Sequence, residues 1–100
     1  MSLQFEWDKN KANINLKKHK VSFEEARTVF SDPLALIFDD EEHSSPEELR
    51  EIIIGNSEQR HLLLTSYTER TEIVVRIISS RLATKHERRD YEENGCQFSC

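Results

Sequence analysis

The chain has 100 residues, 36% of them hydrophobic and 33% charged, and a formal net charge of −5, which together predict one compact domain with a heavily solvated surface. No segment approaches the roughly 20 consecutive apolar residues of a membrane-spanning helix, and the first 20 residues lack the apolar run of a signal peptide. The only cysteines, Cys96 and Cys100, lie near the C-terminus outside any patterned segment. A disulfide-stapled scaffold is therefore excluded, and we expect a cytoplasmic protein without a membrane partner.

The charges are segregated along the chain. Residues 1–20 carry a net charge of +3 and residues 66–89 also carry +3, whereas residues 39–51 carry −6. A basic face can therefore exist on an acidic protein if the two basic segments share one side and the acidic segment points elsewhere.

The N-terminal third predicts a short strand and two helices. Residues 5–7 alternate apolar with polar side chains, and Asp8 is a suitable N-cap for a helix over Lys9–His19. Ser22 and Glu25 have the spacing of a capping box, which begins a second helix. Because Pro33 disfavours the helical conformation of the residue before it, this helix should end near Ser31.

The rest of the chain predicts four strands and a C-terminal helix. Residues 34–38 form a short apolar run typical of a strand buried on both faces, and the acidic segment 39–48 is expected to be an exposed, mobile loop. Three further segments have the pattern of strands joined by short turns: residues 50–55, 61–68 and 72–80. Such short connections favour an antiparallel meander. Thr84 and Glu87 form a second capping box and open the last helix, which is followed by an expected flexible tail at 94–100. The order βααββββα predicts an α+β fold, with helices packed on a twisted sheet in one domain over residues 1–93.

The last strand contains an arginine among apolar neighbours. Strict alternation places Val75, Ile77 and Ser79 on one face, and Arg76 with Ile78 on the other. Two roles fit Arg76. Its guanidinium pairs with a carboxylate such as Glu51 or Glu69, or it binds an anionic ligand that supplies the missing charge.

Three more groups are candidates for an anion site at the end of this strand. Arg81 lies where the strand ends, and Arg88 and Tyr91 lie three residues apart on the following helix. A phosphate bound there would meet forked N–H donors and the positive end of that helix, although solvated surface charge is an equally good explanation. Capping alone explains Glu87.

The histidines do not predict a metal site. His19, His43, His61 and His86 fall in different elements, and none has a second ligand at a metal spacing on the same helix face. His19 or His61 could serve as a general base near neutral pH, although a structural role is more common for such residues. The sequence also lacks a glycine-rich phosphate loop and a nucleophile elbow, so we expect no cofactor.

Several segments, taken in order along the chain, resemble the BrnT family of type II toxins. In the N-terminal half they are FEWD at 5–8, Lys11, Asn15, KH at 18–19, VSFEEA at 21–26, VF at 29–30 and DP at 32–33. In the C-terminal half they are Arg50, IG at 54–55, YTER at 67–70, RIIS at 76–79, Arg81, Ala83, ERR at 87–89 and Tyr91. Two residues depart from the family pattern: Lys20 stands where a glycine usually follows the Lys-His pair, and Ser80 replaces a common alanine.

The resemblance implies a RelE-like fold, with two N-terminal helices packed on a mostly antiparallel sheet and a C-terminal helix. It implies a ribonuclease that inhibits translation and is neutralised by a BrnA-like antitoxin in a hetero-oligomer. Cleavage by the RNA's own 2′-hydroxyl requires charge neutralisation at the phosphate more than it requires a metal ion. The implied site residues are Arg76 and Arg81, with Lys11, Arg70, Arg88 and Tyr91 as secondary candidates. The alternative is a non-catalytic interaction domain on the same scaffold.

Overall fold

The fold was analysed in a computed structural model that describes the backbone of residues 3–99 and the side chains of residues 3–93. The elements are β1 (Gln4–Glu6), α1 (Lys9–His19), α2 (Phe23–Thr28), a 3-10 turn (Val29–Ser31), β2 (Leu36–Asp39), β3 (Arg50–Asn56), β4 (Leu62–Glu69), β5 (Val74–Leu82) and α3 (Lys85–Ser99). The strands form one sheet in the order β1-β5-β4-β3-β2. β1 runs parallel to β5, and the other neighbours are antiparallel. The fold is therefore α+β with a mixed five-stranded sheet and a C-terminal helix.

The predicted N-caps are present. The Asp8 carboxylate accepts a hydrogen bond from the amide of Asn10 at 2.7 Å, and the Ser22 hydroxyl accepts one from the amide of Glu25 at 3.0 Å. The capping box of α3 is reciprocal, because Thr84 and Glu87 each bind the other's amide. The Glu25 carboxylate instead accepts one hydrogen bond from the Ser57 hydroxyl and contacts the ring of His61, so it joins α2 to the β3–β4 turn.

Helices cover one face of the sheet, and α3 covers part of the other. On the first face, Phe23 and Ala26 of α2 pack against Ile77, and Phe23 also meets Trp7 edge-on. On the second face, Tyr91 of α3 packs against a cluster that includes Ile54 and Leu64. The rest of the second face is open. Within the described residues, no helix is long and apolar enough to cross a membrane.

The prediction that the segment 34–38 is a strand buried on both faces is wrong. β2 is an edge strand paired only with β3, and its side chains Ile37 and Phe38 are 57% and 45% exposed. An apolar run of this length does not distinguish a central strand from an edge strand, because it says nothing about which neighbours pair with it.

A β-bulge interrupts β5. Ser66 of β4 pairs with Ser79 and the next residue, Tyr67, pairs with Ile77, so Ile78 is the extra residue on β5. The predicted alternation therefore fails beyond Ile77. Ser80 is buried on the helical face, where its backbone binds the side chain of Asn15 in α1. A bulge reverses the facing of every residue that follows it, and Arg81 consequently lies on the open second face.

The C-terminal helix continues through Ser99, beyond the predicted domain end at residue 93. The tail predicted at 94–100, with Cys96 and Cys100, lies outside the residues whose side chains are described.

Candidate functional site

An open groove of about 530 Å³ lies on the second face of the sheet, beside α3. Its floor comes from three adjacent strands, with Ile52 from β3, Leu64 and Ser66 from β4, and Ser79 from β5. Polar and charged side chains surround this floor: His19, Asp40, Glu42, His43, Arg50, Arg81 and Glu87. We call it the Arg81 groove.

Arg81 is held in the groove by a two-pronged contact with α3. Its two terminal nitrogens donate to the two carboxylate oxygens of Glu87, each at 2.9 Å, and one of them also donates to the carbonyl of Leu82. The hydrogen bond to Glu87 raises the pKa of Arg81, and the same bond lowers the pKa of Glu87 against the opposing effect of burial. Both groups are therefore charged at neutral pH. The guanidinium has five N–H donors, and these three bonds leave two for a ligand.

A smaller cleft of about 190 Å³ adjoins the Arg81 groove along α1. The two concavities share His19, Ile78 and Ser79 at the bulge of β5. The cleft is lined on its α1 side by Lys11 and Lys18, and we call it the lysine cleft. Neither lysine makes an ion pair with any described residue, so both ammonium groups are available to an anion.

The acidic segment lies against the groove, so the expectation that it points elsewhere is wrong. Asp40 and Glu42 line the groove together with Arg81. The start of this segment is also fixed to β3: the Asp40 amide donates to the Arg50 carbonyl at 2.9 Å, and the Ser44 hydroxyl donates to the Asp40 carbonyl at 2.7 Å. The sequence showed an acidic run with nothing to bury, but it did not show these backbone contacts.

Arg76 lies away from the groove. Its guanidinium donates to Glu6 of β1 at 2.8 Å, so the predicted partners Glu51 and Glu69 are wrong. The reason is the parallel pairing of β1 with β5, which puts Glu6 directly beside Arg76. Arg70 approaches the same carboxylate at 3.8 Å. At ~3.3 Å per residue, Arg76 and Arg81 are about 15 Å apart along β5 and do not share one phosphate.

Tyr91 and Arg88 do not converge with Arg81. The Tyr91 hydroxyl donates to Asp32 at 2.6 Å and accepts from the amide nitrogen of Asn56 at 3.1 Å, so it fixes α3 to the body of the fold. Burial and the hydrogen bond to Asp32 raise the pKa of this phenol. Arg88 is exposed and is not part of the groove lining.

Sequence reasoning did not propose as site residues several polar groups that line the groove, among them Ser66, Ser79, Arg50 and His43. Ser66 and Ser79 are opposite each other across β4 and β5 at the bulge. The available sequence signal was the doublet Ser79-Ser80, because two small polar residues in succession break the alternation of an apolar strand. His43 lies three residues after Asp40, a spacing that brings their side chains together in a turn.

The described residues contain no group of three or more His, Cys, Asp or Glu side chains placed to hold a metal ion. His61, one of the two predicted base candidates, contacts Glu25 at 2.7 Å and is not part of the groove lining. His19, the other, lines both concavities.

The chain is similar to known ribonuclease toxins. A family model described as the ribonuclease toxin BrnT of type II toxin-antitoxin systems matches residues 7–87. Among solved structures, the crystal structure of the Brucella abortus ribonuclease toxin BrnT matches with a TM-score of 0.63 and 20% sequence identity, covering 84% of this chain and 100% of that chain. A comparison with curated protein sequences gives no significant match.

Proposed function

The chain belongs to the BrnT family of ribonuclease toxins of type II toxin-antitoxin systems, and from this premise we propose that it cleaves RNA in the Arg81 groove without a metal ion. The observation that carries the proposal is the continuity of two concavities. The lysine cleft supplies two unpaired cations, and it opens at the bulge of β5 onto the groove that holds Arg81.

The chemistry uses a nucleophile that RNA itself carries. The 2′-oxygen attacks the adjacent phosphorus, a new P–O bond forms, and the bond to the 5′-oxygen of the next nucleotide breaks. Negative charge builds on the phosphate oxygens in the transition state, and a fixed guanidinium stabilises this charge without reorganisation. The two free donors of Arg81 fit this role, because a planar fork binds two phosphate oxygens at once.

The six predicted site residues have different roles in this proposal. Arg81 binds the scissile phosphate, and Lys11 binds a neighbouring phosphate in the lysine cleft, where Lys18 assists it. Arg88 is exposed near the start of α3 and adds positive potential. Arg76 and Arg70 support β1 through Glu6, and Tyr91 anchors α3. Their positions outside the groove support these structural assignments.

The type II classification implies an antitoxin partner. We infer that this partner is BrnA-like, that it forms a hetero-oligomer with the toxin and that it occludes the Arg81 groove. A RelE-like fold in one domain over residues 1–93, a cytoplasmic location and inhibition of translation complete the proposal. The two N-terminal helices and the antiparallel pairing of β2 to β5 support the fold assignment.

Purified protein incubated with RNA in EDTA tests the proposed function. We expect fragments that end in a 2′,3′-cyclic phosphate, and no cleavage of an oligonucleotide that carries 2′-deoxyribose at the scissile position. Cleavage that requires an added divalent cation, or cleavage of the 2′-deoxy substrate, would contradict the mechanism. The matched control is Arg81→Ala, which should leave the fold intact and remove most of the activity.

A further inference from the structure

We propose that His43, oriented by Asp40, is the general base that accepts the 2′-hydroxyl proton in the Arg81 groove. The inference rests on the proposed function and adds the proton acceptor that it lacks. In the step, the Nε2 atom of His43 takes the proton while the 2′-oxygen bonds to phosphorus. The 5′-oxygen leaves with the electron pair of the broken P–O bond and takes a proton from solvent.

The geometry of the pair is that of an oriented imidazole. The Nδ1 atom of His43 lies 2.9 Å and 3.0 Å from the two carboxylate oxygens of Asp40. A proton on Nδ1 is favoured beside a carboxylate, which leaves the lone pair on Nε2 for a substrate proton. The side chain of Asp40 is 12% exposed and that of His43 is 61% exposed, so the carboxylate is sheltered and the ring is accessible.

Backbone contacts hold the pair in place. The Asp40 amide donates a hydrogen bond to the Arg50 carbonyl at the start of β3, and the Asp40 carbonyl accepts one from the Ser44 hydroxyl of the same turn. Ser44 in turn accepts a hydrogen bond from the Arg50 amide at 2.9 Å. The turn that carries His43 is thus tied to the strand whose residues form one side of the groove floor, and the ring is positioned before substrate binds.

The His43–Asp40 pair differs from other histidine–carboxylate pairs among the described residues because it lines the Arg81 groove. His61 contacts Glu25 at 2.7 Å and His86 lies 3.7 Å from Asp90, but neither histidine lines the Arg81 groove. His43 lines it together with Arg81, on the wall formed by the acidic segment. A base and a phosphate-binding guanidinium on different walls of one groove can both reach one bound nucleotide.

Titratable and charged groups from several elements line the groove together with the His43 ring. They are Asp40 and Glu42 from the acidic segment, Glu87 from α3, Arg50 from β3, Arg81 from β5 and His19 from α1. A general base must be unprotonated to accept the 2′-hydroxyl proton, so we expect the cleavage rate to rise with pH.

Single-turnover cleavage of a short RNA oligonucleotide between pH 5 and 9 tests the proposal. We expect His43→Gln to slow cleavage by about 10²- to 10⁴-fold and to remove this rise with pH, while the Kd for the uncleavable 2′-deoxy oligonucleotide stays within about twofold of wild type. Asp40→Asn should also slow cleavage with little change in this Kd. His61→Gln is the matched control, a paired histidine outside the groove, and should keep the wild-type rate.

Chemical rescue separates catalysis from structure. Added imidazole should restore part of the activity of His43→Ala, which a purely structural histidine would not allow. Wild-type cleavage by folded His43→Gln, together with inactive Arg81→Ala, would overturn the base assignment alone. A wild-type protein that leaves RNA intact in EDTA would overturn both the base assignment and the proposed function.

Discussion

Two arginines on the same strand and the same face of the sheet have different environments, and their neighbours decide what each can do. Arg76 lies beside β1, where its guanidinium forms an ion pair with the Glu6 carboxylate at an N–O distance of 2.8 Å. Arg81 lies beyond the end of β1, so no strand pairs with β5 on that side, and the groove opens there. Glu87 orients Arg81 from α3, and the hydrogen bonds of Arg81 to the described residues leave two of its five donors unused.

The first prediction compares these two residues. Arg81→Ala should slow single-turnover RNA cleavage by roughly 30- to 1000-fold, because a charge-assisted contact to a transition-state phosphate contributes about 2 to 4 kcal/mol. Arg81→Lys should recover only part of this rate, since an ammonium lacks the fork. Arg76→Ala is the matched control and should keep the wild-type rate, with a loss of stability of about 1 kcal/mol or less. A larger rate loss in Arg76→Ala than in Arg81→Ala would return Arg76 to the site.

A second prediction concerns Tyr91 and the acid stability of the fold. Burial alone would raise the pKa of Asp32, but hydrogen bonds from Tyr91 and from the amides of Asn56 and Leu34 outweigh it, and the pKa falls below the ordinary value of 3.8. A carboxyl with a lowered pKa in the folded state stabilises the fold above its unfolded pKa, and this stabilisation disappears as the pH falls through the folded pKa. Tyr91→Phe removes one of these bonds and should cost about 1.5 to 3 kcal/mol near pH 6.

Urea unfolding at pH 6 and pH 3 measures this effect. The difference in unfolding free energy between wild type and Tyr91→Phe should shrink at the lower pH, where Asp32 begins to take up its proton. A difference that is equal at both pH values would mean that the Tyr91 hydroxyl does not act through the charge of Asp32.

Among the elements, α1 ends on a strained residue. Lys20 has φ 62° and ψ 26°, the left-handed conformation, and its amide donates to the Leu16 carbonyl at 2.9 Å. This is the geometry of a helix C-cap that favours glycine, because a Cβ atom there is close to the backbone. Lys20 is one of the two residues that depart from the expected family pattern, and here the departure has a local energetic cost.

The third prediction follows from this helix end. Lys20→Gly should raise the free energy of unfolding by about 0.5 to 1 kcal/mol, since glycine adopts the left-handed conformation without the Cβ penalty. Lys17→Gly removes the same charge from the last turn of α1 at a helical position, and it should lower stability instead. Thermal melts of the two variants beside wild type measure the contrast. If both variants lower the melting temperature, the conformation of Lys20 is not costly.

The elements that could be predicted are those specified by local chemistry. Asp8, Ser22 and Thr84 cap their helices, because a cap involves only residues a few positions apart. The partner of Arg76 and the exposure of β2 could not be predicted, because both depend on which strands become neighbours. The side of the sheet on which Arg81 lies depends on the bulge at Ile78, which is a feature of the pairing between β4 and β5. The groove was missed for the same reason: its walls come from segments distant in sequence.

At the scale of the whole molecule, a net charge of −5 coexists with the proposed site for a polyanion because a few cations from separate elements lie near one another. Lys11 and Lys18 of α1 lie beside the end of β5, where Arg81 enters the groove. The acids Asp40 and Glu42 line the far side of that groove. Positive and negative groups therefore lie in one continuous concave surface, with Lys11 and Lys18 on its α1 side and Asp40 and Glu42 on its loop side, rather than on opposite faces of the molecule.

The last prediction is that the antitoxin occupies this surface. A surface that attracts RNA also attracts anionic segments of a partner, and such association weakens as salt rises. The competing hypothesis is docking on an apolar face formed by Phe23, Phe30 and the first helix. Phe23 is 0% exposed and packs on Ile77, and Phe30 contacts the rings of Phe5 and Tyr67. Among the described residues of that face, only α1 offers exposed apolar side chains for such docking, with Ile14 63% and Leu16 48% exposed.

Alanine at both Lys11 and Lys18 should weaken the complex with the cognate antitoxin by about 3- to 30-fold at low salt, because exposed ion pairs contribute up to about 1 kcal/mol each. The same double variant should show a smaller loss of affinity between 50 and 300 mM salt, since it has fewer charges to screen. The control is Lys9→Ala, which removes a lysine of α1 that lines neither concavity. Affinity and salt dependence unchanged in the double variant and in Arg81→Ala would place the antitoxin elsewhere, and inhibition would then occur without occlusion of the groove.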